Sequence, residues 1–276
     1  PGYTKENKGP LIMGVASALT GLTLLFVAGR VWSRLLAFGK LAIDDFLVIG
    51  CIVLSIVYVS LAGVAIEAGG GRHASTLTPE QIQRVICYTV ISWAPAVLSF
   101  IVPKFAGLIL LARLLNPGRI HTIFMWIVSV LYFLLALGML IMNFRQCTPV
   151  AAQWGGAVGT CLDRKITFSY ALALGIASAC FDLYLAAYPT VVLWRLQMYW
   201  KKKLGLSLAL GFGYGAAIVT IYKCTTLVDI LTLKDYTWAV DDIVLWTNIE
   251  ANFVLIGTCI PTLFPVVKKL FGNSAL

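Results

Sequence analysis

Glu250 sits in residues 246–261, "WTNIEANFVLIGTCIP", where nearly every other position suits hydrocarbon. A carboxylate in such a stretch is costly, and ionisable groups inside apolar spans commonly serve function. Two states are open to it. Ionised, it needs a cation, and Lys223 is the candidate. Neutral through burial, it is a general acid. Trp246 lies four residues earlier, on the same helical face. Trp93, Tyr222 and Trp238 offer further aromatic surface, and Glu67, Asp229 and His73 further titratable groups. Acids in an aromatic-lined cavity suit the protonation or polarisation of an apolar guest, with the rings stabilising developing positive charge. The plainer alternative is a packed bundle in which Lys223, Asn248 or Asn252 satisfies Glu250. Lys104 and Asp182 read as a second, structural ion pair that sets helix register.

The elements that carry these residues are membrane spans. The chain has 276 residues, 60% of them hydrophobic and 12% charged, with a mean hydropathy of +0.89. Soluble domains carry about 25% charged residues. Seven largely apolar runs are each long enough to cross a bilayer: about 11–35, 43–67, 84–113, 120–145, 166–195, 204–231 and 240–267. The expected architecture is an all-α, single-domain, seven-transmembrane helix bundle. Depth along alternating helices, at about 1.5 Å per residue, places Glu250 roughly 15 Å and Lys223 roughly 12 Å below one face. Lys104 and Asp182 fall at a lower level. Pro95 and Pro103 predict kinks in the third helix. Small residues in "GFGYG" at 211–215 predict close helix contact.

Arg30, Arg34, Lys40, Arg113, Arg119, Arg195, Lys201, Lys202, Lys203, Lys268 and Lys269 outnumber the basic residues of the opposite side. By the positive-inside rule this places the N-terminus outside or lumenal and the C-terminus in the cytosol. The same rule explains the net charge of +9 without a nucleic-acid partner. Cys147 and Cys161 bracket a loop on the outer side and form the expected disulfide. Cys51, Cys87, Cys180, Cys224 and Cys259 fall within spans and read as buried small hydrophobes. With His73 and His121 the only histidines and no Cys-x-x-Cys, no metal site is expected. No cofactor is implied.

In their order, several fragments resemble the fungal rhodopsin-like integral membrane family. They are "RVWSR", "IDDF", "GGGRH", Lys104, "CTPVAAQW" with Cys161, Asp182, Pro189, "DYTW", "WTNIE" and Pro261. One departure is Ala106, where the family more often has serine. The resemblance covers nearly the whole chain. It implies a seven-helix fold, and the family includes receptor-like sensors of the plant surface and membrane proteins encoded in secondary-metabolite clusters. Retinal is not expected: before Lys268 the last helix has no lysine to form a Schiff base. Two functions stay open. One is a cyclase or pericyclase of secondary metabolism, taking a lipophilic polyketide or terpenoid from the membrane lipids, with Glu250, Glu67 or Asp229 as the acid and Trp246, Trp93, Tyr222, Lys223, Trp238 and His73 around the substrate. The other is a sensor of a small ligand coupled to a G protein. Either would reside in the endoplasmic reticulum or plasma membrane.

Overall fold

A computed structural model describes residues 7–115, 118–195, 200–230 and 236–271. The helices are α1 (Gly9–Phe38), α2 (Ile43–Glu67), α3 (Pro79–Leu115), α4 (Arg119–Arg145), α5 (Arg164–Arg195), α6 (Trp200–Ile230) and α7 (Tyr236–Phe271). Each contains a segment long and apolar enough to cross a membrane. The chain therefore runs up and down seven times. One end of the bundle holds the loop between α4 and α5 and is called here the disulfide end. The other, with Arg34, Lys40, Arg113 and Arg119, is the basic end.

Local chemistry explains boundaries that the apolar runs misplace. α3 starts at Pro79, five residues before its apolar run. Thr78 N–H donates to Gln81 Oε1 at 3.0 Å, and Gln81 N–H donates to Thr78 Oγ1 at 3.3 Å. This reciprocal capping box, with proline in the first turn, nucleates a polar helical extension. α1 stops at Gly39, which adopts φ 66° and returns its N–H to Leu35 at 2.9 Å.

α7 is the most buried span, whereas α1, α4 and α6 are the least covered by protein. Leu25, Ile123, Leu131 and Leu134 project outward from α1 and α4. In water such apolar belts would promote association; here they are the lipid-facing surface. Val97, Phe100, Ile101, Tyr132, Ala136, Leu174 and Ala251 form the largest internal cluster, uniting α3, α4, α5 and α7. The glycines of "GFGYG" do permit close packing: Gly213 faces Ala186 and Gly215 faces the Phe253 ring. Ala106, where serine was the family expectation, is a buried apolar contact in the α1/α2/α3/α7 core.

Cys147 and Cys161 are disulfide-bonded, in register across a two-residue antiparallel ladder, β1 (Cys147–Thr148) with β2 (Thr160–Cys161). Among the remaining cysteines, Cys51 and Cys259 are buried, but Cys180 is exposed. Its position on the outer face of α5 corrects the expectation that all five would be internal. Beside the disulfide loop, Gly71 has φ 81°, and any Cβ there would strike the backbone of Gly9. Its N–H donates to Asp241 Oδ2 at 2.6 Å, tying the "GGG" turn to α7.

Candidate functional site

The two predicted levels of buried charge are one cluster. Lys104 Nζ donates to Asp182 Oδ2 at 2.8 Å, to Glu250 Oε1 at 3.2 Å and to Ser178 Oγ at 2.5 Å. Lys223 Nζ donates to the other oxygen of Glu250. Ser178 Oγ donates to Glu250 Oε1 at 2.8 Å, and Tyr132 Oη reaches Ser178 at 3.3 Å. Lys104 and Glu250 are 0% exposed and Asp182 is 3% exposed. Two ammonium groups thus face two carboxylates, and the formal charge of the quartet is zero.

Helix direction explains the convergence that depth counting missed. Counting assumed that every span starts in one plane, whereas α3 begins early. A helical side chain also leans toward its own N-terminus. α3 runs away from the disulfide end, so the long stem of Lys104 leans back toward Glu250. α6 runs oppositely, so Lys223 leans toward the same carboxylate from the disulfide side. Lys104 is accordingly an internal ion-pair partner, not a lysine reaching for the interface. Phe100 lies against both cations, its ring centroid 5.9 Å from Lys104 Nζ and 5.0 Å from Lys223 Nζ.

The quartet separates two apolar cavities. On the disulfide side, a cavity of about 50 Å³ is lined by residues that include Trp93, Val97, Phe100, Leu174, Ser178 and Lys223. The Lys223 side chain is 14% exposed, the most accessible charge of the quartet. Trp93 also lines a wider, more polar vestibule under the disulfide loop, with Thr89, Asn143, Gln146, Gln153 and Asp241. On the basic side, a cavity of about 100 Å³ is lined from α3, α5, α6 and α7 and has Asp182 at its inner end.

The structure does not gather the other expected site residues into one aromatic cavity. Trp246 and Tyr222 pair with ring centroids 4.5 Å apart, but Tyr222 is 52% exposed and neither ring lines either cavity. Trp246 is half-buried and its ring lies against Tyr222 at the bundle surface. Trp238 and His73 stack at 4.2 Å, with Lys8 Nζ 4.1 Å above the indole and paired to Asp242 at 3.0 Å. This cap lies at the disulfide end, roughly 18 Å along α7 from Glu250 at helical rise. Glu67 is exposed at the end of α2 and has no place beside Glu250. The side chain of Asp229 lies outside the described residues. Asn248 and Asn252 serve α1 instead: Thr23 Oγ1 donates to Asn252 Oδ1 at 2.6 Å, and Asn252 Nδ2 donates to Asn248 Oδ1 at 2.9 Å.

A second buried charge cluster lies at the basic end. Asp44 accepts from Arg30 at 2.7 Å, Arg34 at 2.9 Å and Arg113 at 2.9 Å. Asp45 accepts from Arg30 at 2.8 Å, and Arg30 also donates to the Thr258 carbonyl on α7 at 2.5 Å. Arg30, Asp44 and Asp45 are 0% exposed. Arg30 and Arg34, expected among the interfacial cations, are thus partners of buried carboxylates. The signal was present: two arginines one helical step apart, followed by paired aspartates opening the next helix. Ser178, Tyr132 and Phe100 carried no comparable signal, because a serine or an aromatic inside an apolar run is ordinary.

A family model described as the fungal rhodopsin domain matches residues 29–269. The chain is 27% identical over 270 residues to a polyenoic acids biosynthesis gene cluster protein of Metarhizium anisopliae, covering 92% of this chain and 72% of that relative. It is 26% identical over 226 residues to a SAT4 family membrane protein of Emericella nidulans, covering 78% and 55%. It is 28% identical over 198 residues to fugralins biosynthesis cluster protein 2 of Gibberella zeae, covering 64% and 48%. The chain thus spans about half the length of the latter two. No solved structure matches it.

Proposed function

The chain belongs to the fungal rhodopsin domain family, and from that premise we propose that this integral membrane protein is an enzyme of fungal secondary metabolism. It cyclises an apolar polyketide or terpenoid held in the cavity that ends at Lys223. The observation that carries this reading is the junction of an apolar, aromatic-walled chamber with one accessible ammonium group. Two relatives named for biosynthetic clusters support the setting.

The quartet is already neutral, so a charged guest would leave a net charge in a dry interior, where uncompensated charge is expensive. A neutral carbonyl is the better partner. Lys223 keeps N–H donors beyond the one given to Glu250 and donates to the carbonyl oxygen, drawing electron density from the conjugated chain. Glu250 and Ser178 are positioning residues that hold Lys223 in place. Trp93 and Phe100 shape the chain so that its reacting carbons meet. The disulfide end faces the lumen or exterior, where such bonds persist. The experiment is conversion of a cluster-derived precursor by microsomes that contain the protein. Lys223→Met should lower turnover by about a hundredfold, the scale of losing one electrostatic donor, while the protein still accumulates. Unchanged turnover excludes Lys223.

The vestibule that shares Trp93 with the chamber favours one second reading, a ligand sensor loaded from the disulfide end. Ligand-dependent nucleotide exchange on a co-expressed G protein would support it. Product formation without a G protein would favour the enzyme.

A further inference from the structure

The basic-side cavity is separate from the proposed reaction chamber, and its wall chemistry is different. Leu110, Leu111, Ala209, Leu210 and Val254 make it apolar. Its volume, about 100 Å³, is below that of a pocket that encloses a whole drug-sized molecule and suits the slender end of one. Where the chamber ends in a cation, this cavity ends in a carboxylate.

Asp182 gives Oδ2 to Lys104. Among the described residues Oδ1 accepts no hydrogen bond, although the residue is 97% covered. Two residues of the same lining precede a proline by one helical turn. Pro189 and Pro261 lack an N–H, so the carbonyls of Leu185 and Gly257, four residues earlier, receive no helical bond from them. Leu185, Pro189, Gly257 and Pro261 all line the cavity. The hydroxyl of Thr258 is already spent on the Leu255 carbonyl at 2.8 Å. The walls therefore offer acceptors and few donors, and Asp182 Oδ1 faces the cavity free to accept a hydrogen bond from a guest. An ammonium guest would upset the neutral quartet; a hydroxyl would not.

We infer that the cavity between α3, α5, α6 and α7 is a second binding site, for an apolar molecule that ends in a hydroxyl group donated to Asp182 Oδ1. The hydrocarbon body lies along Leu110, Ala209 and Val254.

The test uses the whole chain in sterol-free phosphatidylcholine nanodiscs, a photoreactive diazirine derivative of hexadecanol, and the methyl ether of the same probe. The ether has the same body but no proton to donate. The alcohol should crosslink within 185–189 or 209–213 and do so about tenfold more than the ether, the scale of one hydrogen bond to a charged acceptor. Ala209→Phe, which fills the cavity without touching the quartet, should remove most of that labelling. Equal labelling by alcohol and ether overturns the assignment, and so does labelling confined to the outer faces of the helices. The alcohol–ether contrast needs no variant, so a folding defect in Ala209→Phe does not blunt the test. Competition by a sterol would assign the site to a membrane lipid, and competition by a polyenol alone to a chain alcohol; either upholds it. Turnover in the Lys223 chamber is a separate readout.

Discussion

The protein buries charge in two places, and the two are built differently. At the basic end, Asp44 is shared by three arginines from α1 and α3, while Arg30 also reaches Asp45 on α2 and a carbonyl on α7. Neither aspartate lines a cavity given above. In mid-bundle, Lys104, Asp182, Glu250 and Lys223 come from four different helices and stand between two empty spaces. The first cluster joins chiefly α1, α2 and α3, which follow one another in the chain, with one tie to α7. The second joins α3 to α5, α6 and α7 and leaves a lysine on one side and an aspartate on the other facing a cavity. Buried charge alone therefore does not mark a site. Buried charge beside unfilled space does.

Substitutions can break that comparison. Asp44→Ala should have the largest effect on folding, because it strands up to three arginines; removing one partner of a buried pair costs about 3–5 kcal/mol. Loss of the monodisperse species in size-exclusion chromatography should follow. If Asp44→Ala instead accumulates normally and only activity falls, the basic-end cluster belongs to the site. Lys223→Met combined with Glu250→Gln removes one charge of each sign, so accumulation should be close to wild type while conversion stays lost. Failure of that double variant to fold would show the quartet to be as structural as the arginine cluster. Glu250→Gln alone keeps an acceptor for Ser178 but weakens the hold on Lys223. Its turnover should fall about tenfold, less than for Lys223→Met, because it acts through position. Equal losses would make Glu250 a direct participant. The smallest effect is expected for Lys8→Ala, whose partly exposed pair with Asp242 should contribute no more than about 1 kcal/mol in thermal unfolding.

The seven spans were legible because hydropathy over twenty residues is a strong, additive signal. Glu250 was legible for the opposite reason, as a lone charge against that background, and Lys223 was found as its partner by level. The disulfide followed from two cysteines bracketing a short loop. What stayed hidden depends on direction and rotation. Lys104 and Asp182 were assigned to a different level because depth counting ignores which way a side chain leans. Trp246 shares a face with Glu250 in projection, yet its ring turns toward the lipid-facing Tyr222. Glu67, at the end of α2, shares with Glu250 only a side of the membrane, a far coarser measure than contact. Neither cavity had a sequence signature, since small residues such as Gly107, Ala186, Ala209 and Gly213 look the same in a sequence whether they permit packing or border a space.

α7 is polar on two opposite sides. Glu250 turns to α3, α5 and α6, and Asn248 and Asn252 turn to Thr20 and Thr23 of α1. Placed alone in a bilayer, such a segment would pay about 3 kcal/mol for the carboxylate at its centre, with two amides adding to that. It has no lipid-compatible face broad enough to hide them. The order of synthesis relieves the problem. α7 leaves the ribosome after every helix that receives its polar groups, so those partners are already synthesised when it enters the membrane. The same sequence moved to the front of the chain would meet the translocon with its partners still unmade.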